Sequence, residues 1–306
     1  MLYHFVLYPL SLLPLGVLQF ISKLLYIVLR FVVGYRKKVV RNNIARAFPH
    51  WSNAQRRDLE KQSYRHLADL MAEGIKNLSI SREELLKRMN LENPELFNKL
   101  YAEGKHVILL SSHLCNWEFF ITAQSFLLPH RAFGIGKRIQ KGNLNEQINK
   151  RRERFGMKVI NATNYRDVLD SEVRGEPLAV LTLADQSPSR KNAFWVEFFG
   201  VQTAFAFGAE YMAHTYGMAV VYLSMKKVSP GNYQVHPKLI CSDGREQSYG
   251  EITRQYVTLL EEDIKAAPET WLWSHRRWKH VPPDNLSQEK SEHKQRFLKK
   301  FKGDKE

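Results

Sequence analysis

Hydrophobic and polar positions follow two regimes along this chain. Through about residue 102 the apolar positions recur at helical spacing. Beyond it, short apolar runs of strand length alternate with helical stretches. In the first regime Val39 to Phe48 reads as a helix that stops at Pro49. Asn53 to Leu78 reads as a long helix, with Leu59, Leu67, Leu70 and Met71 interleaved among charges. Ser81-Arg82-Glu83-Glu84 is a capping box that opens a short helix through Met89, and 94–102 is helical again. In the second regime the predicted strands are His106–Leu110, Ala132–Ile135, Met157–Ile160, Leu178–Ala184, Trp195–Phe199, Met218–Met225 and Tyr233–Ile240. The predicted helices are Asn116–Leu127, Asn143–Phe155, Asn164–Val173, Phe205–Thr215 and Glu251–Ala266, the last opened by a second box, Ser248-Tyr249-Gly250-Glu251. Such alternation implies an α/β layered fold with a largely parallel central sheet flanked by helices. No internal repeat stands out. From Val281 the chain turns to Pro-Pro-Asp-Asn and then a Lys/Gln/Glu-rich run to Glu306. That run is too poor in apolar residues for a core of its own, so a surface helix or a disordered tail is expected.

The N-terminus is apolar in a different way. Phe5 to Phe20 holds no charge, and Lys23 and Arg30 are the only charges before Arg36. A basic cluster of Arg36, Lys37, Lys38, Arg41 and Arg46 follows. A cleaved signal peptide carries its positive charge before the apolar stretch and a small-residue site after it. Here the order is reversed, so an uncleaved anchor over 1–34 is expected. Pro9 and Pro14 leave open whether it crosses the bilayer or dips into one leaflet. If it crosses, the basic flank places the rest of the chain on the cytoplasmic side. The competing reading is an amphipathic helix packed on the domain itself.

Composition narrows the partners. The 306 residues suit one large domain, or one domain plus an appendage. A formal net charge of +15, from 46 Lys and Arg against 31 Asp and Glu, favours acidic partners. No nucleic-acid motif appears, which puts an anionic membrane and an acidic carrier protein ahead of nucleic acid. Two cysteines, Cys115 and Cys241, argue against a disulfide framework and a zinc ribbon, and Cys115 reads as a small buried apolar residue.

Three clusters carry chemistry. In Ser111-Ser112-His113-Leu114-Cys115-Asn116-Trp117-Glu118, the histidine sits where a strand hands over to a helix, a common place for catalytic groups in α/β sheets. Residues five apart do not share a helix face, so His113 and Glu118 meet only if His113 precedes the helix and Glu118 lies in its first turns. A carboxylate there would hold one imidazole nitrogen and leave the other free to take a proton. In the second cluster, Asp185-Gln186-Ser187-Pro188-Ser189-Arg190-Lys191 follows the most apolar strand. Asp185 is either an organiser behind His113 or a turn residue. Arg190 and Lys191 are either a phosphate attractor or a solvated loop. The nearby Phe194-Trp195-Val196-Glu197-Phe198-Phe199-Gly200 is acyl-groove lining or simply core. The third cluster is Trp271-Leu272-Trp273-Ser274-His275-Arg276-Arg277-Trp278-Lys279-His280. Its paired arginines suit phosphate or carboxylate, and its tryptophans suit either a membrane interface or inward packing. Between the clusters, Lys150-Arg151-Arg152-Glu153-Arg154-Phe155-Gly156 ends a helix with cations that suit its dipole, and Arg151 or Arg154 is available to face the site.

In this order the pieces resemble the late, lauroyl/myristoyl acyltransferases of lipid A biosynthesis, within the lysophospholipid acyltransferase superfamily. The resemblance rests on the N-terminal apolar segment, Asn42-Asn43-Ile44, His113 to Glu118, Arg154-Phe155-Gly156, Asp185-Gln186, Phe198-Phe199-Gly200 and the Trp271–Lys279 cluster, and spans roughly residues 1 to 280. The family often has Gly-His-Phe-Gly-Asn-Trp-Glu at the first motif, where Ser112, Leu114 and Cys115 stand here. After Phe-Phe-Gly this chain reads Val201-Gln202-Thr203-Ala204-Phe205, where some members have Thr-rich sequence with Pro, which loosens the acceptor more than the reaction.

The resemblance implies acyl transfer from an acyl carrier protein thioester to a hydroxyl of a lipid A precursor. It implies an acyltransferase domain over 35–280 and a polar tail over 281–306, at the cytoplasmic face of the inner membrane. It requires no metal or bound cofactor. His113 is then the general base and Glu118 the group that holds its tautomer. Asn116, Arg154, Asp185, Gln186, Arg276 and Arg277 are the expected substrate-binding set, with Arg154 on the oxyanion or a phosphate, Asp185 shaping the pocket, and Arg276 and Arg277 on the acceptor's phosphate. A lysophospholipid or lyso-aminolipid acceptor, and a non-catalytic membrane or carrier-binding protein, are the alternatives.

Overall fold

Six of the apolar runs that read as strands, together with Met89–Leu91, assemble into a seven-stranded sheet in the order Met89–Leu91, Asn232–Cys241, Ala219–Ser229, Val107–Ser111, Leu178–Leu183, Arg131–Gly136, Lys158–Asn161. The computed structural model describes residues 2–136, 143–190 and 193–301. Before the sheet come α1 (Tyr8–Ser11), α2 (Leu15–Ile27), α3 (Lys37–Ala47), α4 (Asn53–Lys76) and α5 (Arg82–Arg88). Helix α2 runs on through a wider turn at Val28–Val32. The sheet region then reads β1 (Met89–Leu91), α6 (Glu95–Ala102), β2 (Val107–Ser111), α7 (Trp117–Leu127), β3 (Arg131–Gly136), α8 (Asn143–Glu153), β4 (Lys158–Asn161), α9 (Tyr165–Glu172) and β5 (Leu178–Leu183). It continues with β6 (Ala193–Phe198), β7 (Val201–Ala206), α10 (Gly208–Tyr216), β8 (Ala219–Ser229), β9 (Asn232–Cys241), α11 (Glu251–Ala266) and α12 (Leu286–Phe301).

Strand β2 is the axis of the sheet. It pairs in parallel with β5 on one side and with β8 on the other, and all five of its residues are buried. Its side chains alternate between two cores. Ile108 and Leu110 join Ile44, Tyr256 and Trp271, whereas Val107 and Leu109 join Phe97, Phe119 and Phe120. Burial on both faces is why β2 reads as an unbroken apolar run rather than an alternating one.

Four features differ from the sequence reading. Trp195–Phe199 is not a strand of the main sheet. It forms an antiparallel hairpin, β6 with β7, that stands apart. The two-residue loop is Phe199-Gly200, with φ of +52° and +70°, a type I′ pattern that glycine accepts and phenylalanine rarely does. Consequently Phe205–Thr215 is not one helix: its start is β7, and α10 begins at Gly208. Strand β9 is present but runs antiparallel to β8, and only β1, hidden in the sequence behind the end of α5, is parallel to it. The Ser248 capping box also does not form. Gly250 is the N-cap of α11, and the Glu210 carboxylate from α10 accepts from the backbone N–H groups of Gly250 and Thr253.

The tail from Val281 contains α12, docked by Phe297 and His293 against Phe207 and Tyr249. Residues 302–306 lie outside the described residues, as does Lys191. The N-terminal segment has two faces. Leu15, Leu18 and Ser22 are buried, and Ser22 Oγ donates to Asp69 Oδ1 of α4 at 2.8 Å. Phe20, Leu24, Phe31 and Val32 are exposed. By length and composition alone, Leu15–Val32 is one helix long enough to cross a membrane.

Candidate active site

The turn from β2 into α7 is pinned by the segment after α11. Cys115 N–H donates to the Thr270 carbonyl (3.0 Å), Leu272 N–H donates to the His113 carbonyl (3.1 Å), and Leu114 bridges Trp271. Cys115 has φ of +51°, a left-handed conformation that glycine adopts without strain. A cysteine in this conformation costs backbone strain of about 1 kcal/mol or more. Asn116 then caps α7, its side-chain oxygen accepting from Phe119 N–H at 2.9 Å.

His113 is left at the carboxyl ends of β2 and β5. Its ring Nδ1 is 2.7 Å from Asp185 Oδ1, and its backbone N–H donates to Asp185 Oδ2 at 3.0 Å. Trp271 Nε1 donates to the same Oδ2 at 2.9 Å. Asp185 is buried, which by itself raises a carboxyl pKa. The His113 imidazole and these N–H donors outweigh burial and hold it down to about 2. An ionised Asp185 accepts a hydrogen bond from Nδ1–H, so the ring proton stays on Nδ1 and Nε2 carries the lone pair. Gln186 Nε2 lies 3.0 Å from that nitrogen. The imidazole packs edge-on to Trp117 at 4.8 Å between ring centroids, and its side chain is 15% exposed.

The expectation that Glu118 orients His113 is corrected. Glu118 lies in the first turn of α7, but its carboxylate forms a two-pronged ion pair with Arg152 of α8, at 2.9 and 2.5 Å. Both nitrogens of His113 are engaged by the Asp185-Gln186 dipeptide instead. Asp185, read as organiser or turn residue, is the carboxylate that contacts the His113 ring and backbone.

The other expected residues fall in several places. Asn116 is buried, and its Nδ2 donates to the buried Glu73 at 2.6 Å, so its side chain holds α7 and α4 together. Arg154 donates to the carbonyls of Arg151 (2.5 Å) and Ile80 (2.9 Å) and stacks on Phe155, and burial pulls its pKa down to about 10. Of the three arginines near the end of α8, Arg152 is the one that reaches the first motif. Arg276 is exposed. Arg277 is only 1% exposed and lies 4.0 Å from the Phe205 ring centroid, so its guanidinium does not reach the surface to meet an acceptor's phosphate.

Two residues of the third cluster belong here and had no spacing rule to announce them. Trp271 is the third donor on Asp185. His275 Nε2 accepts from Ser187 N–H at 3.1 Å, next to Gln186, and burial pushes its pKa down to about 4. The cluster is held to the helical front of the chain by Asn43, whose Nδ2 donates to the carbonyls of Trp273 (2.8 Å) and His275 (2.7 Å). The arrangement is an imidazole whose Nδ1 faces a buried anion and whose Nε2 lone pair faces only the Gln186 amide, a geometry suited to abstraction of a hydroxyl proton.

Comparison with known proteins identifies relatives of the whole site-bearing region. The family described as Bacterial lipid A biosynthesis acyltransferase matches residues 1–280. A lipid A biosynthesis acyltransferase of Haemophilus influenzae is 26% identical over 253 residues, covering 79% of this chain and 76% of that protein. A lipid A biosynthesis palmitoleoyltransferase of Escherichia coli is 23% identical over 275 residues, covering 88% of this chain and 87% of that protein. A lipid A biosynthesis acyltransferase of Shigella flexneri shows the same identity and coverage.

Proposed function

The chain belongs to the bacterial lipid A biosynthesis acyltransferase family, and from that premise we propose that it moves a fatty acyl chain from an acyl carrier protein thioester to a hydroxyl of a lipid A precursor. His113 is the general base. The observation that carries this reading is the Asp185–His113 contact at 2.7 Å, which fixes the proton on Nδ1 and leaves Nε2 to accept.

The reaction follows from that geometry. As the acceptor oxygen forms its bond to the thioester carbonyl carbon, its proton passes to His113 Nε2. The imidazolium that results is stabilised by the buried Asp185 anion. The carbonyl oxygen becomes an oxyanion near the first turn of α7, whose N–H groups ahead of the Asn116-capped Phe119 have no partner within the helix. Collapse of the tetrahedral intermediate breaks the C–S bond, and His113 returns its proton to the departing thiolate. The Glu118–Arg152 pair ties α7 to α8 beside this centre and keeps the arginine charge close to the first motif. Arg276, exposed, is a ligand for the acceptor's phosphate. No metal or bound cofactor enters these steps.

Delivery of the two substrates follows from surface chemistry. The exposed apolar face of Phe20, Leu24, Phe31 and Val32 sits in a bilayer, with the basic run from Arg36 to Arg46 against anionic headgroups. On this reading residues 1–34 are the anchor, 35–280 the acyltransferase domain and 281–306 the polar tail, and the protein works at the cytoplasmic face of the inner membrane. The +15 charge speeds encounter with an acidic carrier protein. The test is an assay of purified protein with acyl carrier protein thioester and a panel of acceptors. Acylation of the lipid A precursor, abolished by His113→Ala, is expected. Acylation of lysophospholipids or lyso-aminolipids instead would reassign the acceptor, and turnover surviving in His113→Ala would remove the base. Mass spectrometry of lipids from cells lacking the protein names the acceptor independently, as the class that loses one acyl chain.

A further inference from the structure

One dipeptide at the end of β5 engages both nitrogens of His113, and its two residues are held very differently. Asp185 is buried and fixed by three N–H donors. Gln186 is only partly buried, and among the described residues its side chain makes one hydrogen bond, to His113 Nε2. An amide nitrogen has only N–H to offer, so Gln186 donates into the lone pair that the acceptor's proton must reach.

We propose that Gln186 is a displaceable guard on the catalytic base, which keeps water off His113 Nε2 until the acceptor hydroxyl arrives. The proposal rests on the reading of His113 as general base. The chemistry behind it is simple. A neutral imidazole with an open lone pair, 15% exposed, binds water. Beside a bound thioester that water is itself a nucleophile. Its oxygen bonds to the carbonyl carbon, its proton goes to Nε2, the C–S bond breaks, and the proton ends on the thiolate, giving free fatty acid and thiol. Gln186 occupies the position such a water needs, and its amide is not a competing nucleophile at neutral pH. An acceptor hydroxyl held by the rest of its binding site replaces the amide one hydrogen bond for another, so the guard yields to the acceptor. A stray water has no such additional contacts with which to displace it. Gln186 is thus a positioning residue that decides between transfer and hydrolysis.

The test uses the purified full chain in detergent with acyl carrier protein thioester as donor. It measures thiol release without acceptor and ester formation with a lipid A precursor. In Gln186→Ala, and in Gln186→Asn whose amide is one methylene too short to reach Nε2, the ratio of hydrolysis to transfer rises by about tenfold or more, the value of one hydrogen bond. Adding His113→Ala removes the hydrolysis. In Gln186→Glu the new carboxylate favours the imidazolium and moves the acidic limb of kcat/KM to higher pH, a shift that a change in folding alone does not cause. An unchanged ratio in both Gln186→Ala and Gln186→Asn, with His113→Ala inactive, overturns the guard and leaves the base standing. Transfer that survives in His113→Ala overturns both.

Discussion

Asp185 grips His113 at two points, the ring through Oδ1 and the main chain through Oδ2. The two oxygens are not interchangeable. Oδ2 accepts from two N–H groups, those of the His113 backbone and the Trp271 indole, whereas Oδ1 faces Nδ1 alone. In Asp185→Asn the amide NH₂ cannot sit among two donors, so it turns to the Oδ1 position and donates to Nδ1. The ring proton is then driven to Nε2, and the base loses its lone pair. We expect kcat to fall by about 10³–10⁴ with the fold intact, as for a wrongly protonated imidazole in a triad. The measurement is single-turnover transfer alongside circular dichroism.

The same carboxyl carries a stability signature. Its pKa in the fold is about 2, below the ordinary value of ~3.9. A carboxyl with a lowered folded pKa contributes stability that is present above its unfolded pKa and is lost as pH falls through the folded one. The loss therefore lies between pH ~4 and ~2. Urea midpoints followed down through that window are expected to fall more steeply for wild type than for Asp185→Asn. Parallel curves for the two proteins would mean that the pair does not stabilise the fold.

Glu118 acts through Arg152, so the two residues are expected to behave as a unit. Each is roughly three-quarters buried, at 25% and 23% side-chain exposure, and removing either leaves a largely buried partner charge. Glu118→Ala and Arg152→Ala each misplace the start of α7, and a displacement of that order costs up to ~10² in rate. The double variant is expected to lose little more than either single one. The pH profile stays that of wild type in all three, because His113 keeps Asp185. An acidic limb that moves in Glu118→Ala would return the orienting role to Glu118.

Arg277 is a buried cation without a hydrogen-bond partner for any guanidinium nitrogen among the described residues. It lies over Phe205, 5.7 Å from the Phe198 centroid as well, and burial lowers its pKa to about 10 against the pull of Asp185. Exchanging a buried ion for an apolar side chain of similar volume stabilises many proteins by ~1–4 kcal/mol. Arg277→Met is therefore expected to raise the melting temperature. Arg277→Lys, a compact charge that cannot lie flat on the ring, is expected to lower it. Scanning calorimetry reads both.

The contrast between Glu118 and Asp185 shows where sequence reasoning stops. Periodicity found β2, β5 and β8, because strands buried on both faces are continuous apolar runs, and it put His113 and Asp185 at strand ends. It could not join them. Asp185 is 72 positions from His113 and meets it only because β2 and β5 pair in register, Ser111 beside Leu183. Glu118, five positions away, looked nearer than it is. The β6–β7 hairpin was missed because its turn uses Phe199 in a conformation with no phenylalanine signature. Phe199 is held there by the Glu261 carboxylate on its N–H at 2.6 Å and by ring contact with Phe48. The cap on α11 was misread for a similar reason, since Glu210 reaches it from another helix.

The two faces of the N-terminal helix make the last prediction. Leu18 is 1% exposed and packs towards Ala72 of α4, while Phe20 and Leu24 are 72% and 65% exposed. A charge at Leu18 would be buried against α4, so Leu18→Asp should lower the melting temperature and the yield of folded protein. A charge at Phe20 or Leu24 meets no protein. If that face lies in lipid, Phe20→Asp with Leu24→Asp removes two buried apolar side chains, each worth ~1.5–3 kcal/mol, and adds two charges facing anionic headgroups. The double variant should keep the wild-type melting temperature in detergent and yet shift from the floated vesicle fraction to the bottom fraction on flotation with anionic liposomes. A variant that stays fully bound would show that Phe20 and Leu24 do not contact the membrane. A variant that unfolds in detergent would show that the outer face is instead covered by protein.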